Sequence, residues 1–134
     1  MKAIPYLFFV GTCAEALEFY RDAIGAEIRA LVRYRDLPGA ADDVGDRVMH
    51  AEFRVGESTI YASDGNGSAR RGGEYAIALE AADDIEAERL FAAVGAGGRV
   101  DVPLMTTPFA SRFGMLTDRY GTPWMVSTPQ RALG

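Results

Sequence analysis

The sequence predicts an α+β fold built from two βαβββ modules, and three observations predict it. Strand and helix periodicities follow the order strand, helix, strand, strand, strand, and that order runs through the chain twice. The glycines placed to end the two helices, Gly25 and Gly95, lie 70 residues apart, and the hairpin glycines Gly56 and Gly121 lie 65 apart. Strands outnumber helices too heavily for a doubly wound parallel sheet. The similar spacings point to an internal duplication; a coincidental α+β order is the alternative. On this reading residues 1–134 form one domain, with a first module over 1–64 and a second over 74–128.

The elements follow in order. Tyr6 to Val10 is an aromatic and apolar run that stops at Gly11, as a buried strand does. Thr12 and Glu15 have capping-box spacing, and Cys13, Ala16, Leu17, Tyr20 and Ile24 form the apolar stripe of a helix. Gly25 is placed to end it in the left-handed conformation. Glu27 to Arg35 alternates as a strand, with Ile28, Ala30, Val32 and Tyr34 on one face and Leu31 as the exception. Asp36 to Asp46 reads as an exposed loop. Val48 to Val55 and Ser58 to Ser63 are two strands joined by a turn at Gly56-Glu57. Asp64 to Gly73 is a second glycine-rich loop.

The second module starts with a strand over Glu74 to Glu80. A helix opens at Asp83-Asp84-Ile85-Glu86, buries Ala87, Leu90, Phe91 and Val94, and ends at Gly95. Strands follow at Arg99 to Leu104, Arg112 to Thr117 and Thr122 to Ser127, with a proline-containing loop after the first and a turn at Asp118 to Gly121 before the last.

Composition narrows the function classes. The chain has 134 residues, 49% apolar and 25% charged, as soluble globular domains do. Its 14 Lys and Arg face 19 Asp and Glu, and the densest basic cluster is Arg70-Arg71, so no nucleic-acid partner is expected. No apolar run reaches the ~18 residues of a membrane-spanning helix, so no membrane partner is expected either. The apolar start is followed at once by Glu15 and Glu18 without a cleavage pattern, so it reads as a strand of a cytoplasmic protein rather than a leader. Cys13 is the single cysteine, which excludes an intrachain disulfide and reads as an inert buried thiol.

The doubled βαβββ order resembles the vicinal oxygen chelate superfamily of glyoxalase I, bleomycin- and fosfomycin-resistance proteins and extradiol dioxygenases, and within it the PhnB-like subgroup. Carrying residues are Pro5-Tyr6-Leu7-Phe8-Phe9, Glu18-Phe19-Tyr20, Val48-Met49-His50-Ala51, Ala62-Ser63-Asp64, Arg112 through Gly121, and Pro123-Trp124-Met125-Val126. The resemblance implies a curled mixed sheet around a cavity, and a homodimer. It also implies a divalent metal held by His, Glu or Gln, yet the usual ligand positions fall on Tyr6, Glu74 and Met125. A neutral phenol is a poor ligand for a hard divalent ion and a thioether suits soft metals. No metal site of the usual kind, and no cofactor, is therefore expected.

Strand alternation selects the faces independently of any family. Leu7, Phe9, Tyr75, Ile77, Leu79, Met49, Ala51, Phe53, Val55, Ile60, Ala62, Trp124 and Val126 belong under the helices. The opposite face then carries Tyr6, Phe8, His50, Glu52, Thr59, Tyr61 and Ser63 in the first module, and Glu74, Phe113, Met115 and Met125 in the second. This is an aromatic lining with a few polar groups, as small-molecule sites have. His50 and Glu74 are the catalytic candidates: His50, the single histidine, as acid, base or ligand, and Glu74 as base or ligand. Each has a plain structural reading, a sheet-bonded histidine and a strand-end carboxylate in water. The preferred function is binding of a small organic ligand in the cavity without the usual metal triad. A metal-dependent lyase, transferase or dioxygenase with atypical ligands, such as His50, Glu52 and Glu74, is the first alternative. A protein-binding scaffold with a filled cavity is the second.

Overall fold

The computed structural model describes residues 1–39, 45–65 and 75–129, and the chain divides into two compact units, Met1–Arg71 and Gly72–Gly134. The first contains β1 (Tyr6–Phe8), α1 (Cys13–Ile24), β2 (Glu27–Arg33), a 3-10 turn (Tyr34–Asp36), β3 (Val48–Val55) and β4 (Ser58–Ser63). The second contains β5 (Ile77–Glu80), α2 (Asp84–Gly95), β6 (Arg99–Thr107), β7 (Ala110–Thr117) and β8 (Pro123–Ser127). Each unit folds its strands into one mixed sheet, in the orders β1-β4-β3-β2 and β5-β8-β7-β6. In both, the outer pair made by the first and last strands is parallel and the other pairs are antiparallel. The fold is thus α+β with two βαβββ modules, as the periodicities predict.

Each helix covers one face of its own sheet. Cys13, Ala16, Leu17 and Tyr20 of α1 are fully buried, and the Tyr20 ring stacks on Phe53 of β3 with centroids 5.7 Å apart. Leu7, Ala51, Ile60 and Ala62 complete that core. In the second unit Ala87, Leu90 and Val94 of α2 pair with a sheet face of Leu116, Trp124 and Val126. Gly114 of β7 lies under α2: a Cβ there would stand 2.8 Å from the Phe91 ring and 3.0 Å from the Val102 carbonyl oxygen. Gly114→Val is therefore expected to cost about 1–3 kcal/mol by overpacking, read as a lowered urea midpoint with an unchanged slope.

The duplication extends to single hydrogen bonds. Phe9 N donates to Ser63 O at 2.8 Å, and Ala81 N donates to Ser127 O at 2.7 Å. Asp64 N donates to Val48 O at 2.8 Å, and Thr128 N donates to Arg112 O at 3.0 Å. The side chains repeat the pattern: Val48 N donates to Asp64 Oδ2 at 2.8 Å and Arg112 N to Thr128 Oγ1 at 3.0 Å. Asp64 and Thr128 are equivalent residues, each pinning the end of the parallel strand pair to the strand beyond.

Several local expectations are corrected. The Thr12–Glu15 capping box does not form, since Thr12 sits at φ −113°, ψ 11° and its side chain makes no cap bond. Asp64 Oδ1 instead accepts from Cys13 N at 2.9 Å, so the first turn of α1 is capped from across the fold. Gly25 ends α1 as expected, at φ 70°. The strand expected to reach Arg35 stops at Arg33, whose N–H is captured by Asp36 Oδ2 at 2.9 Å in the 3-10 turn. Leu31 is exceptional because the register shifts between Ile28 and Ala30. That bulge puts Ile28 opposite Phe53 and Leu31 opposite Ala51, both on the core face, while Ala30 and Val32 turn to the other face beside Glu52 and His50.

Tyr75 is not core. It is 59% exposed, and β5 begins only at Ile77. The partner strand β8 starts at Pro123, which has no N–H with which to extend the pairing. Met49 and Val55 are half-buried, while Val48 takes a fully buried place at the second register shift of β2 and β3. The loop expected after Leu104 is also strand: β6 continues through Pro103 to Thr107 and pairs back to Ala110. Proline is tolerated because β6 is an edge strand. Among the described residues no helix is long and apolar enough to cross a membrane.

Candidate functional site

The first sheet has a helix-covered face and an opposite one, and strand register assigns side chains to the second. Tyr6 of β1 lies opposite Tyr61 of β4, which lies opposite Glu52 of β3, which lies opposite Ala30 of β2. One row along, Phe8 pairs with Ser63 and His50 with Val32; one row the other way, Thr59 pairs with Arg54. The period of two therefore brings Tyr6, Phe8, His50, Glu52, Thr59, Tyr61 and Ser63 onto one face. Arg54 belongs there as well. Alternation from His50 and Glu52 is the signal that places it, and no ion pair joins it to Glu52 among the described residues.

Within that face the aromatic groups form a contiguous cluster. Tyr6 stacks on Phe8 with centroids 4.8 Å apart and an 18° interplanar angle, and meets Tyr61 edge-on at 5.9 Å. His50 meets Tyr61 edge-on at 5.0 Å and lies tilted by 50° to Tyr6 at 5.6 Å. The Tyr6 hydroxyl and His50 Nδ1 are 2.9 Å apart, a hydrogen bond of ordinary length. Phe8 is 58% and Tyr6 40% exposed, so the cluster presents apolar surface outward. Ser63 is committed inward: its hydroxyl donates to Val48 O at 3.2 Å and accepts from Gly65 N at 2.8 Å.

Partial burial pushes the Tyr6 phenol above its ordinary value; the Ser63 hydroxyl opposes this, and Cys13 and Tyr34 add to it. The phenol is therefore a neutral O–H at physiological pH. This bears on the metal that the resemblance implies. A protonated phenol already engaged with an imidazole, and a thioether at Met125, do not make a donor set for a hard divalent ion. Among the described residues no three His, Cys, Asp or Glu side chains are placed to hold a metal. Glu74, with the His50, Glu52 and Glu74 set that includes it, lies outside the described residues.

In the second sheet, Met115 lies opposite Met125, which lies opposite Ala78, and Phe113 lies opposite Ser127. Phe113, Met115 and Met125 thus share the face away from α2. Phe113 and Phe109 meet edge-on with centroids 5.3 Å apart. All three predicted residues are half-buried. These three side chains are apolar, and the register also brings Ser127, Glu80, Thr117 and Arg99 onto the same face.

The fold recurs in known proteins. The chain is 39% identical to protein PA1353 of Pseudomonas aeruginosa over 98% of this chain and 99% of that one, with a TM-score of 0.87. It is 27% identical to a PhnB protein of Bacillus cereus, covering 96% of this chain and 99% of that one, at a TM-score of 0.79. It is 29% identical to protein YjdN of Escherichia coli K12, covering 95% of each. At 13% identity and a TM-score of 0.71, a glyoxalase/bleomycin resistance protein/dioxygenase domain of Frankia shares the fold over 98% of both chains. A family model described as 3-demethylubiquinone-9 3-methyltransferase matches residues 1–127, and the chain belongs to that family, with the glyoxalase/bleomycin resistance fold and PhnB-like relatives.

Proposed function

We propose that the protein binds a small, flat organic ligand on the open face of the first sheet, against Tyr6, Phe8 and Tyr61, without a metal. One observation carries this reading: the exposed Tyr6 and Phe8 rings cluster with the half-buried Tyr61 around the single histidine. Exposed rings beside a few convergent polar groups are what small-molecule sites offer. His50 would hold a polar group of the ligand, and Glu52 and Thr59 would border it. Phe113, Met115 and Met125 would offer a second apolar contact surface, on the corresponding face of the second unit. The reading takes the protein as a cytoplasmic homodimer with no nucleic-acid or membrane partner. It rests on the site and not on the activity named in the family's description. Glu74 remains the second acid–base candidate, and Glu74→Gln is its test.

The test is a titration of flat aromatic fragments followed by NMR of the aromatic side chains. Binding is expected to move Tyr6, Phe8 and Tyr61 resonances, and Tyr61→Ala is expected to weaken it roughly three- to tenfold, the worth of one ring contact. Fragments that move only resonances elsewhere would overturn the assignment. Near-stoichiometric divalent metal in untagged protein, lost in His50→Ala, would favour the metal-dependent alternative.

A further inference from the structure

We infer that Tyr6 fixes His50 as a hydrogen-bond donor through Nε2, so that the ligand of this face is a flat aromatic compound bearing an oxygen acceptor rather than an ammonium group. The inference rests on the reading of the face as a ligand site and adds the ligand's chemical class.

The geometry makes the donor one-sided. A neutral imidazole has one N–H and one acceptor nitrogen, and the bond made at one ring nitrogen decides where the proton sits. Here Nδ1 faces the Tyr6 hydroxyl at 2.9 Å. The phenol keeps its proton because burial raises its pKa. A phenol with its proton can donate or accept; with Nδ1 as its one hydrogen-bond partner among the described residues, the O–H is assigned as the donor to Nδ1, which puts the imidazole proton on Nε2. Protonating the ring would reverse the Tyr6 bond and still leave Nε2–H a donor.

Neither ring is free to turn away. Tyr6 is held between Phe8, stacked at 4.8 Å, and Tyr61, edge-on at 5.9 Å. His50 is held edge-on to Tyr61 at 5.0 Å. Among the described residues His50 Nε2 has no hydrogen-bond partner, and no buried side-chain nitrogen or oxygen lacks one. The Nε2–H therefore reaches solvent on the open face. A flat ring laid against Tyr61 or Phe8 would bring a carbonyl substituent to it. Glu52, on the same face and without an ion-pair partner among the described residues, is the group that would attract a cation instead.

Two aromatic probes set these groups against each other at pH 8: acetophenone, which only accepts hydrogen bonds, and benzylammonium, which only donates. Acetophenone is expected to bind roughly three- to tenfold more tightly, the range of one net hydrogen bond. His50→Phe, which keeps a ring but removes the donor, is expected to abolish the preference, and His50→Gln, which keeps an N–H, to restore part of it. In the free protein, 15N NMR of the histidine ring should show a protonated Nε2 and an unprotonated Nδ1; in Tyr6→Phe the two shifts should move toward those of exchanging tautomers. A proton on Nδ1, an unchanged preference in His50→Phe, or tighter benzylammonium binding overturns the inference while the site reading stands. If neither probe binds, both fall.

Discussion

Replacing Asp64 with alanine is expected to destabilise the protein by about 3–5 kcal/mol, the loss of two hydrogen bonds to a charged acceptor. Asp64 is 6% exposed. One oxygen accepts from Cys13 N at 2.9 Å, at the first residue of α1, and the other from Val48 N at 2.8 Å, at the first residue of β3. A single side chain thus ties the start of the helix to the start of a strand 35 residues away in sequence, and its charge faces the positive end of the helix. Alanine leaves two N–H groups unpaired in a site with little access to water. Asn should recover part of the loss, because it keeps one acceptor oxygen but must turn its NH2 toward a donor. The equivalent Thr128 bonds to Arg112 N and carries no charge, so Thr128→Ala should cost about 1 kcal/mol. Urea unfolding of the three variants checks the ordering. Equal, small losses for Asp64→Ala and Thr128→Ala would show that the carboxylate is not a tie.

The same residue shows where sequence reading stops. Thr12 and Glu15 have the spacing of a local cap, and local spacing is what a sequence displays. The group that does the capping lies 51 positions from Cys13 and is adjacent only because β4 runs parallel beside β1. Period-two alternation, by contrast, is local and decisive. It places Tyr6, Phe8, His50, Glu52, Thr59 and Tyr61 on one face and their neighbours under α1, and the strands Val48–Val55 and Ser58–Ser63 have the ends it gives them. It fails where a bulge adds a residue, as at Leu31, and where proline removes a donor, as beside Tyr75. The face was therefore legible, but the bond from Tyr6 to His50 was not. It joins residues 44 apart, and its distance depends on the stagger of three strands. Ser63 likewise has the right face, yet its hydroxyl is spent on Val48 and Gly65, which alternation cannot foresee.

Stability should fall steeply above pH 9, and Cys13 should be a main cause. The thiol is fully buried at the start of α1. Burial pushes it up from 9.0 to about 12, the nearby Asp64 carboxylate pushes in the same direction, and Arg33 opposes. The sign follows from comparing the two states. Below pH 9 both the folded and unfolded chain keep the proton, and the stabilisation is fully present. Between pH 9 and about 12 only the unfolded chain releases it, so unfolding is favoured by about 1.4 kcal/mol per pH unit. The loss approaches about 4 kcal/mol as the pH passes through the folded value. Cys13→Ala removes this titration. At pH 7 the variant should be about 1 kcal/mol less stable, for the lost sulfur packing. Near pH 10 the two proteins should be equal, and at pH 11 the variant should be the more stable one. Urea midpoints at pH 7, 9, 10 and 11 check the crossing, since tyrosine, lysine and other common titrations cancel between the two proteins. Parallel curves would mean that the thiol ionises as easily in the folded protein as in the unfolded chain. The same burial predicts that a thiol reagent modifies Cys13 only as fast as the first unit opens.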